Sequence, residues 1–213
     1  MVSPVSSSCC DLASRQKADV ELFLNERDEL TATIDTERLH LRSVQPREED
    51  YSAYAGLFGD AEVMKLYATG ETKSRQEIQK RIDDVWVKRW HERDPYSGLA
   101  VCERDTNDFV GHVILGHGDQ PGQSEMAYLS AQRHWHKGYG TEAIAAVLYD
   151  YSSTLIHKQY TLEGKPLETI CATSHVQNRW SVKILESLGM HFIHEVEKFG
   201  GRRRLYELKV SQK

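Results

Sequence analysis

The apolar positions of this chain change period several times. Val20, Phe23 and Leu24 form a narrow stripe that predicts a helix between Ser14 and Leu30, set in an extension covering residues 1–32. From Thr33 the pattern tightens into a domain over 33–213. Ile34, Leu39, Leu41 and Val44 predict a first strand that Pro46 ends. Residues 47–58 and 60–67 read as two short helices. Ser74, with Glu77 three residues on, has the capping-box pattern. The helix it opens carries Ile78, Ile82, Val85, Trp86 and Trp90 at helical spacing and must stop before Pro95.

Three strands follow, Leu99–Glu103, Phe109–Leu115 and Glu125–Leu129, divided by Asp105-Thr106-Asn107-Asp108 and by Pro121-Gly122. In the third, Glu125, Ala127 and Leu129 share one face, and Met126 and Tyr128 the other. A helix after Gly138 bears Ile144, Val147, Leu148, Tyr151 and Leu155 on one stripe. Thr169–Ala172 reads as a buried strand. Asn178 caps a helix with Val182, Leu185 and Leu188, and Gly189 closes it. Two strands around Gly200-Gly201 end the chain. The fold class is α/β (α+β): a mixed, mostly antiparallel sheet of about six to seven strands with helices on both faces.

Composition narrows the function. A net charge of −5 argues against a DNA or RNA binder. No apolar run is long enough to span a membrane, and the first residues have no secretory pattern. Cys9 and Cys10 sit in a Ser-rich stretch, residues 1–13, that reads as disordered, whereas Cys102 and Cys171 sit in apolar runs. They form neither a disulfide framework nor a metal motif, which suits the reducing cytoplasm. His112, His117, His134 and His136 have no carboxylate or cysteine cluster around them, so no metal site is expected.

The chemistry gathers at Arg133-His134-Trp135-His136-Lys137-Gly138-Tyr139-Gly140-Thr141-Glu142-Ala143. Two glycines between a strand and a helix let an anion approach bare backbone, where free N–H groups and the helix dipole point the same way. The stretch lacks the Gly-Lys-Ser/Thr of a P-loop and the third glycine of a dinucleotide fingerprint.

These blocks, in this order, resemble the GNAT superfamily of N-acetyltransferases, and most of all the branch that acetylates ribosomal-protein N-termini. Thr36-Glu37-Arg38-Leu39-His40-Leu41-Arg42 is similar to that branch's opening strand, and Phe109-Val110-Gly111-His112-Val113 to its central strand. Glu125-Met126-Ala127-Tyr128-Leu129 is similar to the strand before the cofactor loop. Trp135 to Ala143 is close to Trp-Gly-Lys-Gly-Tyr-Ala-Thr-Glu-Ala, and Asn178-Arg179-Trp180-Ser181 with Leu188-Gly189-Met190 to Asn-x-x-Ser…Leu-Gly-Phe.

The resemblance implies acetyl-CoA as donor and direct transfer to a primary amine, either a protein N-terminus or a small molecule. It places the cofactor against Leu129, Trp135, His136, Lys137, Gly138, Tyr139, Gly140, Thr141 and Asn178. His136 stands where glycine is common; it is either a solvent-facing loop residue or a phosphate contact. Glu125 is either the base or an exposed strand-end charge. The tyrosine that many members carry seven residues after the asparagine is Leu185 here, so Ser181 becomes the candidate acid, or else an ordinary helix hydroxyl. Asn178 serves as helix cap, pantetheine contact or both. Arg202-Arg203-Arg204 reads as a solvated hairpin face, or as a lure for an acidic acceptor or the cofactor's phosphate. The runner-up reading is a GNAT-like domain that binds acyl-CoA as a sensor or scaffold without turnover. An α/β interaction protein with a fortuitous loop ranks third. The protein is expected to act as a monomer or homodimer.

Overall fold

The computed structural model describes residues 15–210. Its strands are β1 (Asp19–Leu24), β2 (Leu30–Asp35), β3 (Leu39–Ser43), β4 (Gly98–Glu103), β5 (Phe109–His117), β6 (Gln123–Ser130), β7 (Thr161–Leu162), β8 (Lys165–Pro166), β9 (Thr169–His175), β10 (His191–Lys198) and β11 (Gly201–Lys209). Its helices are α1 (Glu48–Gly59), α2 (Ala61–Met64), α3 (Arg75–Arg81), α4 (Lys88–His91), α5 (Tyr139–Ala145), α6 (Ser152–His157) and α7 (Arg179–Ser187). A π-helical segment, Ile82–Val87, joins α3 to α4, and another, Ala146–Tyr151, joins α5 to α6.

One nine-stranded sheet runs β1-β2-β3-β4-β5-β6-β9-β11-β10, with β7 and β8 as a separate small hairpin. Neighbours in the sheet are antiparallel except β6 and β9, which are parallel. Strand alternation sorts two cores onto its two faces. Leu99, Val101, Val113, Leu115 and Met126 pack with Ile144, Leu148 and Tyr151 of the helix that starts at α5. Ala100 and Ile114 face Tyr54, Phe58, Ile78 and Trp86 from the early helices. The mixed sheet, the helices on both faces and the Ser74–Glu77 capping box are as the sequence predicts.

The strand count exceeds the expected six to seven because the first strand is two and the predicted N-terminal helix is a strand. Between β2 and β3 the chain turns at Thr36, whose Oγ1 accepts from Leu39 N at 2.9 Å. Residues 19–24 form β1, paired antiparallel with β2 from Asp19↔Asp35 to Leu24↔Leu30. The helical stripe was the wrong period: Val20 and Leu22 pack on the core, while Phe23 and Leu24 stay exposed. The turn between the strands is built by Asn25, whose Oδ1 accepts from Arg27 N and Glu29 N, with Asp28 left-handed at φ 63°. β1 therefore belongs to the sheet, and the domain starts earlier than residue 33. Arg15 locks it down with two bonds to the buried Asp150, at 2.7 and 2.8 Å. The Ser-rich stretch with Cys9 and Cys10 lies outside the described residues; Cys102 and Cys171 are free and buried.

A second buried carboxylate ties β3 to α1. Asp50 takes two bonds from Arg42, at 2.6 and 2.8 Å, and one each from Gln45 N and Arg47 Nε. Burial pushes its pKa up, but Arg42 and the other donors outweigh that and hold it below the ordinary value. A carboxyl with a depressed folded pKa stabilises the fold above its unfolded pKa, near ~3.9, and loses that contribution as pH falls through the folded value. We expect Asp50→Asn to cost about 3 kcal/mol at pH 7 by leaving Arg42 unpaired. The gap from wild type should close progressively below about pH 4. Denaturant unfolding of both proteins across that range checks it; a gap that stays constant refutes the linkage.

Candidate active site

The site is made by a parting of strands. β6 and β9 pair from Gln123↔Thr169 to Met126↔Ala172 and no further. Beyond that point β6 stays with β5 and β9 stays with β11. The wedge between them opens into a cleft of about 520 Å³, lined by Glu125 to Leu129 on one side and by Thr173, Ser174, Asn178 and Ser181 on the other. Backbone groups of β6 that would have paired with β9 are thereby available to a ligand.

The course of β6 depends on Gly111. β4 and β5 shift register between Val101 and Cys102, and β5 then passes so close to β6 that a Cβ on Gly111 would lie 2.2 Å from Leu129 O. Next to it, His112 is fully buried among Tyr54, Phe58 and Trp86. Its Nδ1 lies 2.7 Å from Tyr54 Oη. Burial pushes its pKa down to about 3, so the ring is neutral and structural.

The anion loop follows β6. His136 is left-handed at φ 62° and Gly138 at φ 81°. The commonly glycine position thus keeps its glycine-like backbone even with an imidazole on it, at some conformational cost. The His136 ring packs edge-on against Trp180 of α7, centroids 5.0 Å apart. Among the described residues, the backbone N–H groups from His136 to Thr141 donate to no acceptor; the first helical bond runs from Glu142 N to Gly138 O, at 3.1 Å. Arg38 braces the loop, donating from Nη1 to Lys137 O at 2.9 Å and from Nε to Glu142 Oε2 at 2.7 Å. Tyr139 is anchored through its hydroxyl to Glu103. Trp135 donates Nε1–H to Ser130 O at 2.8 Å and stays partly exposed.

The first turn of α7 sits beside both the loop and the wedge. Asn178 is its N-cap, with Oδ1 accepting from Ser181 N at 3.1 Å. That bond uses the carbonyl and leaves the amide N–H₂ free. Ser181 Oγ lies 2.8 Å from Tyr128 Oη. Burial outweighs the opposing pull of the Ser181 hydrogen bond and raises the Tyr128 phenol to about 12, so it stays protonated at neutral pH. Leu185 is buried in the core, away from any role at the cleft. Sequence reading passed over Tyr128. Its face was assigned correctly, but only the angle between β6 and α7 brings its hydroxyl to Ser181.

At the other end of the wedge, Glu125 accepts from Lys198 Nζ of β10 at 2.8 Å. The expectation of a merely exposed strand-end charge is thus replaced by a half-buried ion pair, and Lys198 is a residue sequence reading did not single out. The arginine run also differs from a solvated face. Arg202 is exposed, but Arg203 is 5% exposed, donates to Thr173 Oγ1 and Thr173 O at 3.1 and 3.2 Å, and lines the cleft. Desolvation lowers its pKa, with Tyr67 and Glu125 pulling the other way. The histidines do not gather: His117 bonds Asp94, His134 lies by Tyr139 and His112 is in the aromatic core. Among the described residues no cluster suited to a metal is present.

A splayed parallel pair, a left-handed glycine at a helix start and a capped helix beside both thus meet at one place. The acetyltransferase (GNAT) domain family matches residues 38–191. The chain belongs to this family. The uncharacterized N-acetyltransferase p20 of Bacillus licheniformis is 28% identical over 178 residues, 80% of this chain and 90% of that protein. The ribosomal L7/L12 α-N-protein acetyltransferase RimL, solved with coenzyme A, shares the fold with a TM-score of 0.64, at 12% identity over 82% of this chain and 96% of its own. The spermidine N-acetyltransferase of Vibrio cholerae, solved with coenzyme A and spermine, also has a TM-score of 0.64, at 20% identity over 82% of this chain and 96% of its own. Among the described residues no helix is long and apolar enough to cross a membrane.

Gly111 offers a direct test of the strand geometry. Gly111→Ala must push Leu129 aside, at a cost of about 1–3 kcal/mol. Displacing β6 should also weaken acetyl-CoA binding. Thermal melts with and without acetyl-CoA read both effects, and an unchanged melt would refute the close approach.

Proposed function

We propose that the protein transfers an acetyl group from acetyl-CoA directly to a primary amine. The observation that carries this reading is the wedge itself. One opening between β6 and β9 collects Glu125, Tyr128, Asn178 and Ser181, and α7 joins it to the loop through the contact of Trp180 with His136. The loop N–H groups from His136 to Thr141 suit a pyrophosphate. Free β6 backbone near Leu129 and the Asn178 amide suit the amides of a pantetheine arm.

Acetyl-CoA supplies the thioester. The amine lone pair attacks its carbonyl carbon, the C–S bond breaks and the sulfur leaves as a thiolate that needs a proton. In this reading Ser181 donates it, a role supported by the 2.8 Å contact through which Tyr128 can donate to Ser181 Oγ and free the serine hydrogen for sulfur. The phenol's raised pKa keeps that proton on Tyr128 until it is wanted. The hydroxyl absent at Leu185 is thus supplied from the sheet, which removes the main motive for reading the domain as a non-catalytic sensor. Glu125 takes the amine's proton, directly or through water, while Lys198 fixes its orientation. Trp135, Lys137, Tyr139 and Gly140 shape the loop around the phosphates.

Saturating acetyl-CoA should raise stability by a few kcal/mol, about 2.7 at a hundredfold excess over Kd. Gly138→Pro should abolish this shift, since proline is held near φ −65° and the loop needs +81°. In a thiol-release assay with an amine panel, Ser181→Ala should lower kcat about 100-fold with little change in acetyl-CoA affinity. Tyr128→Phe should act in the same direction. Turnover unchanged in both variants, with chemistry rate-limiting, would retire this pair as the proton source.

A further inference from the structure

The acceptor half of the cleft carries an unbalanced charge. Its ionisable lining is Lys73, Glu77, Arg81, Arg89, Glu125 and Arg203, with His117 at the edge. Both carboxylates are already engaged. Glu125 is paired with Lys198, and Glu77 Oε2 accepts from Ser74 N and Ser74 Oγ at 2.8 Å each. Lys73 has Glu71 at 3.6 Å. The guanidinium groups have no such partner. Arg89 donates to Tyr96 O at 3.0 Å, Arg81 lies over the Trp86 ring at 5.5 Å, and Arg203 hydrogen-bonds only Thr173 and lies over the Phe199 ring at 5.4 Å. Among the described residues none of the three forms an ion pair.

Arg203 decides the matter. A guanidinium is always charged, and burying one with no carboxylate bonded to it is costly unless something else meets it; Glu125 acts on Arg203 only through space, from within its own pair with Lys198. Thr173 occupies Nε and Nη2, which leaves Nη1 without a hydrogen-bond acceptor among the described residues. From this we infer that the acceptor is an amine that also bears an anionic group, a carboxylate or a phosphate-type group, and that Arg203 anchors that anion with Arg81 and Arg89 beside it. The inference rests on the acyl-transfer reading above and names its acceptor class.

The same charges assist the chemistry. Nearby cations disfavour the ammonium form and so favour the neutral, nucleophilic amine. They also repel a polycation, so polyamines and aminoglycosides are poor acceptors. The anion fills the counter-charge that the cleft lacks, and its amine is left to face Glu125.

The test uses matched pairs: phenylalanine against phenethylamine for the carboxylate, 2-aminoethylphosphonate against propylamine for the phosphate type, and spermidine as polycation. Thiol release gives kcat/KM, and calorimetry on the protein saturated with coenzyme A gives binding. The anionic member of at least one pair should be favoured about 30-fold, and Arg203→Met should remove most of that preference while Arg203→Lys keeps part. Whichever pair responds names the anion. Because Arg203 is buried, the exposed Arg81→Gln serves as a second variant, with a smaller loss of the same sign that shrinks in high salt. Equal or better use of phenethylamine, propylamine or spermidine overturns the inference, as does a preference that survives Arg203→Met, or no binding of either anion. Anion binding through Arg203 without acetylation of any amine would instead defeat the acyl-transfer reading and leave the anion site standing. Acetylation without anion preference does the reverse.

Discussion

The parallel contact between β6 and β9 ends at Met126↔Ala172, and the rest of the site follows from where it ends. A sheet that closed fully there would use every backbone N–H and C=O of β6 on protein partners. Each strand instead keeps to its outer neighbour, β5 or β11, so the two halves of the sheet diverge and a wedge is left. The wedge exposes polar backbone that only a ligand or water can satisfy. It also sets α7 against the mouth of the opening, with Asn178 and Ser181 in its first turn.

Close packing on either side holds the two halves apart. Gly111 allows β5 to press against Leu129 O, which no side chain would permit. On one face, Ile144, Leu148 and Tyr151 cover the sheet; on the other, Tyr54 and Trp86 do so, packed on the neutral His112 of β5. The buried carboxylates work at longer range. Asp50 pins the first helix to β3, and Asp150 pins the N-terminal hairpin to the long helix. Each is a charged group taken out of water, tolerable because several donors converge on it.

The two ends of the cleft differ in charge, and the proposed reading divides the labour between them. At the proposed donor end, backbone N–H groups and a helix start, braced by Arg38, would meet the phosphates. At the proposed acceptor end, charge recognition would fall to side chains, and there arginines outnumber free carboxylates. Relatives that share this fold act on a ribosomal protein in one case and spermidine in another. The shared scaffold therefore leaves the acceptor open, to be set by side chains at the site of each protein.

Much of the fold was legible along the chain, because local signals agree with one another there. Capping at Ser74 and Asn178, the turn at Pro121-Gly122 and the alternation in β6 each depend on residues close in sequence. The strand-to-helix loop at Gly138 was legible for the same reason, since two glycines between a strand and a helix are a local feature. The region 14–30 misled because a three-residue apolar stripe fits either period, and only pairing with β2 decides between them. The remaining site residues were beyond local reading. Tyr128 meets Ser181 across 53 residues and Lys198 meets Glu125 across 73. Arg203 looks like any exposed hairpin arginine until β9 and the early helices close over it. By itself the sequence determined most of the strands and helices from residue 33 onward, the strand-to-helix loop at Gly138 and which superfamily the chain resembles. Tertiary structure alone decided which hydroxyl, ammonium and guanidinium reach the cleft, because burial and ion pairing are properties of neighbours that the chain brings together only when folded.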